Sequence, residues 1–139
     1  LYWIASFVVS YGIMNLYPDY YNANDASISQ MTEENYTLMS IGTVLLVPVV
    51  EETLFRGVVF GGIYAKSPVI AYVVSTAVFS IIHILGYVSI YTPLEILLSF
   101  IQYLPAGICL AWSFEKADSI WAPILIHVAV NQVGTYSMR

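Results

Sequence analysis

Glu51, Glu52 and Arg56 stand together in the run Val50-Glu51-Glu52-Thr53-Leu54-Phe55-Arg56-Gly57, with long apolar stretches on both sides. Glu52 and Arg56 are four residues apart, so on a helix they share a face and can pair, each lowering the other's burial penalty. Glu51 is turned about 100° away from Glu52 and finds no such partner on its own helix. It is the carboxylate left free for chemistry, and a carboxylate kept from water is suited to take up and return a proton. For Glu52 and Arg56 by themselves, an ion pair that locks helices together is the simpler reading.

The two histidines, His83 and His127, each lie inside an apolar run. One such histidine alone is commonly a hydrogen-bonder between helices; two of them beside two glutamates point to catalysis. The spacing of His127 and Asn131 sends two hydrogen-bond donors in one direction from neighbouring turns, which suits an oxyanion. Phe79 and His83 share that spacing, setting an aromatic wall one turn from the imidazole. Ser80 is too near His83 in sequence to form a nucleophile and base with it. His83, His127 and Glu51 are also the ligand types of a zinc site with an open water position, so a zinc-dependent hydrolase is the alternative to a metal-free one, although the His-Glu-x-x-His signature is absent.

Smaller features surround these groups. Pro48 and Pro123 precede Glu51 and His127 by about a turn and are expected to bend their helices and loosen a carbonyl toward the interior. Gly57 and Gly61 have the small-xxx-small spacing of a close helix approach. Glu95, beside Pro93, reads as a helix-start carboxylate rather than a catalytic one.

Positioning these side chains falls to a membrane protein. Of 139 residues 59% are hydrophobic and 9% charged, with a mean hydropathy of +0.76, whereas in soluble domains about a quarter are charged. The fold class expected is an all-α, polytopic transmembrane helix bundle with about five helices, 1–139 forming a single transmembrane domain and part of a longer chain. Helix 1–17 leads into a polar, acidic extramembrane loop at 18–35. The motif-bearing core at about 36–138 then follows, with helices at 36–64, 68–85, 93–114 and 120–138. Pro68 and Pro93 suit first-turn positions. Lys66 and Lys116 fall on one side and the acidic loop on the other, while Trp3, Trp112, Trp121 and the many tyrosines read as an interfacial belt. Four basic residues at a net charge of −5 leave no cationic surface for nucleic acid or for anionic lipid headgroups. Cys109, the lone cysteine, excludes an intramolecular disulfide and reads as packing.

The ordered trio of motifs resembles the CPBP family, the CAAX protease and bacteriocin-processing (Abi) family of intramembrane glutamate peptidases. Its Glu-Glu-x-x-x-Arg box is similar to Glu51, Glu52 and Arg56, its Phe-x-x-x-His box to Phe79 and His83, and its His-x-x-x-Asn box to His127 and Asn131. The likeness covers about 44–131. It implies a metal-independent peptidase without cofactor, in which Glu51 and His83 activate water while His127 and Asn131 hold the oxyanion. Glu52 and Arg56 then brace the helix or engage the substrate backbone. The implied partners are membrane lipids and a peptide or lipidated protein substrate, prenylated or carrying a leader peptide, at the plasma membrane of a prokaryote. A non-catalytic immunity or peptide-binding scaffold of the same fold is the main alternative; a proton-coupled transporter fits poorly, since no inverted repeat is evident.

Overall fold

The computed structural model describes residues 1–137, and every element among them is a helix. We number them α1 (Tyr2–Leu16), α2 (Ala23–Glu34), α3 (Tyr36–Tyr64), α4 (Pro68–Leu85), α5 (Pro93–Ala117) and α6 (Trp121–Ser137). The expected end of the last helix at Met138 lies outside the described residues. Helices α3, α4 and α5 have the length and apolar content to cross a bilayer. Both α1 and α6, at 15 and 17 described residues, extend about 22 and 25 Å at ~1.5 Å per residue.

The segment 18–35, expected to be a water-exposed loop, is largely the helix α2. Its sequence is polar, so apolar periodicity gives no warning of it, but its ends are specified. The Asn22 side chain caps it by accepting from the backbone N–H of Asn24 and Asp25 at 3.0 and 3.2 Å, and Asp25 sits in the first turn where the helix dipole favours a carboxylate. Asn35 closes α2 and caps α3 by accepting from Leu38 N–H at 3.0 Å.

Two π-helical stretches, Ser40–Leu46 and Thr53–Phe60, interrupt α3 and flank the segment bearing Glu51 and Glu52. Pro48 accounts for the consequence of the first. Val47 N–H bonds to Gly42 O in the wide i→i−5 register; the next residue is proline and has no N–H, so the Thr43 carbonyl is released, as expected of this proline. Pro123 behaves differently. It occupies the first turn of α6, where a missing N–H is harmless, so the expected bend next to His127 has no cause there.

The capping box at the start of α5, with Thr92 N–H donating to Glu95 at 2.7 Å and Glu95 N–H to the Thr92 hydroxyl at 3.3 Å, matches the reading of Glu95. At its other end α5 runs three residues past the expected 114 before Asp118 stops it with a left-handed φ of 47°. Glu115 explains the extension, because its two carboxylate oxygens accept from Tyr64 and Tyr72 at 2.7 and 2.6 Å and tie together α3, α4 and α5. Lys66 and Lys116 therefore share one end of the bundle. Trp3, Trp112 and Trp121 are exposed on its outside, whereas several tyrosines turn inward instead of forming a belt.

Two apolar clusters fill the interior. Phe55, Phe79, Ala106 and Leu110 form one, and Phe60, Ala71 and Ala111 the other. The close helix approach predicted at Gly57 and Gly61 lies elsewhere. A Cβ on Gly57 would meet only Ile120 at 4.0 Å, while on Gly107 of α5 it would fall 2.7 Å from Thr76 Cγ2 and 3.1 Å from Thr76 Cα of α4. Gly107→Val is accordingly expected to lower stability by ~1–3 kcal/mol, against no more than the helix-propensity gain for Gly62→Ala, whose Cβ meets nothing within 4 Å; thermal unfolding in detergent micelles measures both.

Candidate active site

A cavity of about 460 Å³ opens among the helices. Glu51 reaches it from α3, Phe79 and His83 from α4, Tyr103 from α5, and His127 and Asn131 from α6; Asn22, Asn24 and Asp25 form its rim at the start of α2. All four predicted catalytic residues thus meet in one space, together with Phe79. Glu52 and Arg56 do not line it; they lie beneath, with side chains 0% exposed.

The geometry converges on one atom. Oε2 of Glu51 is 3.9 Å from Nε2 of His83 and 3.9 Å from Nε2 of His127, and it has no direct hydrogen-bond partner among the described residues. Both rings are held by their other nitrogen. His83 Nδ1 lies 2.8 Å from the carbonyl of Phe79, which can only accept, so Nδ1 carries the hydrogen. His127 Nδ1 lies 2.8 Å from Oε1 of Glu52, again an acceptor. Each Nε2 therefore presents its exchangeable position to Glu51.

The layer below keeps this arrangement in place. Arg56 contacts Glu52 through Nε to Oε2 at 3.1 Å and Nη1 to Oε1 at 3.3 Å, and Nη2 donates to the carbonyl of Gly107 at 3.1 Å. Its guanidinium carbon lies 4.6 Å from the centroid of the Phe79 ring, a cation–π contact in a dry interior. The Glu52–Arg56 pair read from sequence is present, and it has a third member in His127. Asn131 donates from Nδ2 to the Thr43 carbonyl at 2.8 Å, the one that Pro48 releases. One of its two amide hydrogens is thereby committed, and the other remains for the cavity.

Tyr103 was absent from the sequence reading. Its ring centroid lies 4.5 Å from that of His83 at an interplanar angle of 34°, and the Phe79 ring lies 4.5 Å from the same imidazole at 45°, so two aromatic rings pack against it. The Tyr103 hydroxyl accepts from the side-chain amides of Asn22 and Asn24, each at 3.1 Å. A tyrosine midway along an apolar helix and an Asn-x-Asn-Asp cluster were the available signals, but joining them requires contacts across about 80 residues of sequence.

A family profile described as "Type II CAAX prenyl endopeptidase Rce1-like" matches residues 33–133. The chain is 29% identical over 96 residues to "Putative membrane peptidase YdiL" of Bacillus subtilis and 31% identical over 95 residues to "UPF0177 protein YxdF" of Lactococcus lactis. Each alignment takes in 68% of this chain, which spans 34% and 47% of the length of those two relatives. No solved structure matches it.

The buried chain of contacts sets a stability ranking. Glu52→Ala leaves the Arg56 guanidinium buried without its counter-charge and is expected to destabilise the fold by ~3–5 kcal/mol, while Glu51→Ala, which removes no direct partner, stays within about 1 kcal/mol. Equal losses in chemical unfolding would contradict this division.

Proposed function

The chain belongs to the Rce1-like family of type II CAAX prenyl endopeptidases, and from that premise we propose that it is a membrane peptidase whose hydrolytic water is activated by Glu51. The observation that carries this reading is the position of Glu51 Oε2 between two imidazole Nε2 atoms, 3.9 Å from each. These distances are too long for direct hydrogen bonds and suit a bridging water. Glu51 Oε2 and the Nε2 of His83 both accept hydrogen there, so the species that satisfies them is a donor. A water that gives one hydrogen to Glu51 and the other to Nε2 of His83 turns its lone pairs outward, toward a bound peptide.

Hydrolysis then proceeds by acid–base steps. As the water oxygen bonds to the scissile carbonyl carbon, its proton passes to Glu51, with His83 holding the water in line. Negative charge grows on the carbonyl oxygen. His127 can donate from Nε2 only as the imidazolium, with Nδ1–H on Glu52 and the second proton on Nε2, a form that the two neighbouring carboxylates favour, and Asn131 offers its uncommitted amide hydrogen. Collapse breaks the carbon–nitrogen bond, and Glu51 returns the proton to the departing amine. Glu52 and Arg56 act through His127 and never meet the substrate.

The zinc-dependent alternative would take the same three atoms as ligands and leave the water on the metal. We favour direct activation because Glu51 is then base and proton donor without a further component. The substrate proposed is a peptide or lipidated protein approached from within the lipid bilayer; the Bacillus and Lactococcus relatives support a prokaryotic plasma membrane as its location.

Glu51→Gln is expected to lower cleavage of a membrane peptide by roughly 10²–10⁴-fold with an unchanged unfolding temperature, followed by mass spectrometry of the products. Activity should survive exhaustive chelation. Loss on chelation with recovery on added zinc would transfer the mechanism to the metal; full cellular activity of Glu51→Gln would favour a non-catalytic scaffold.

A further inference from the structure

The rim of the cavity carries a charge that the hydrolytic steps do not use. Asp25 lines the cavity from the first turn of α2, and its carboxyl is held above the usual carboxylate range by burial, with His83 across the cavity acting in the opposite sense. A helix-start carboxylate alone would be ordinary. Here the start of α2 is fastened over the site. Asn22 donates to Gln102 at 3.0 Å, Tyr20 donates to the same oxygen at 2.8 Å, Tyr103 receives both asparagine amides, and Ala23 N–H bonds to the Tyr91 hydroxyl. The Tyr20 hydroxyl, pushed up to about 12 chiefly by burial, stays a neutral donor throughout the physiological range. Asp25 is therefore carried on an anchored helix start rather than on a loose loop.

No lysine or arginine reaches it, and the basic groups it faces are the imidazoles of His83 and His127. Of the four basic residues, Arg56 is buried below the site and committed to Glu52 and Gly107, Lys66 and Lys116 lie at the Glu115 end of the bundle, and Arg139 falls outside the described residues. Among the described residues, the cavity is lined by two carboxylates, Glu51 and Asp25, and by no lysine or arginine. Walls of low dielectric strengthen such a one-sided field. A carboxylate brought in by the substrate meets repulsion and desolvation together, whereas an ammonium or guanidinium group gains a counter-ion.

Resting on the peptidase reading above, we propose that Asp25 is a specificity-determining residue, selecting peptides with a basic side chain, and disfavouring those with a carboxylate, on the flank of the scissile bond that faces α2.

The test uses one peptide sequence with Lys, Gln or Glu placed in turn at each position flanking the scissile bond. For the protein in detergent, kcat/KM at the responsive position is expected to favour Lys over Glu by about tenfold or more. Asp25→Asn should bring that ratio to within about twofold, and Asp25→Lys should invert it. In the wild type, which needs no substitution to fold, raising the ionic strength should compress the ratio toward one. A Lys-to-Glu ratio that is unity at every position, that survives in Asp25→Asn, or that ignores salt overturns the proposal. Binding of the same peptides to Glu51→Gln, read by fluorescence anisotropy, separates the two claims. Charge selection in binding without cleavage by the wild type would sink the hydrolytic reading and keep this one, and cleavage without charge selection would do the reverse.

Discussion

A guanidinium group in the middle of an apolar bundle must be neutralised, and the way Arg56 is neutralised organises the rest of the molecule. Its charge is met by Glu52 one turn away, a further hydrogen by the Gly107 carbonyl and its face by Phe79. Glu52 then spends its other interaction on His127. Three helices are joined through one connected set of buried polar atoms, and removing either Glu52 or Arg56 leaves an unpaired charge in a medium where that is costly. Such a set fixes the rotation of α3, α5 and α6 about their axes, which apolar packing against lipid alone would leave loose.

Function follows from what that set leaves over. Once Glu52 is committed, Glu51 projects from the neighbouring position of the same turn into the cavity, without a direct partner, between two imidazoles whose far nitrogens are already occupied. The two π-helical stretches matter here because each widens the helix by one residue per turn locally and shifts the faces that follow. Pro48 turns the first into a binding feature by releasing the carbonyl that seats Asn131. A loop-based site would need many more contacts to reach comparable order; here most of the positioning comes from rigid helices and a few buried bonds.

How much of this was legible in the sequence depends on whether the information is local. Pairs within one helix, Glu52 with Arg56 and Phe79 with His83, follow from spacing alone, and so do the proline starts and the Thr92–Glu95 box. Contacts between helices do not. The bond from Glu52 to His127, the seat of Asn131 on Thr43 and the packing of Tyr103 against His83 join residues far apart in the chain, and no periodicity encodes them. Gly57 and Gly61 carry a two-glycine spacing, yet the tight crossing uses Gly107, whose small neighbour four residues on is the buried Ala111, so the same spacing in its Gly-xxx-Ala form marks the real approach. The helix α2 was read as a loop because hydrophobic patterning is a poor guide to a polar helix, although its Asn caps were present. That error concealed the rim of the site, since Asn22, Asn24 and Asp25 were assigned to water.

The central claim is that one Glu51 oxygen serves two imidazoles at once, each oriented by a hydrogen on Nδ1. Nitrogen-15 NMR of the histidine side chains, comparing wild type with Glu51→Gln, addresses it directly. The account predicts an Nδ1-bound hydrogen on both His83 and His127, and Nε2 resonances of both rings that move together when the carboxylate is removed. A bare Nδ1 on either ring, or an Nε2 signal that ignores the substitution, would contradict it.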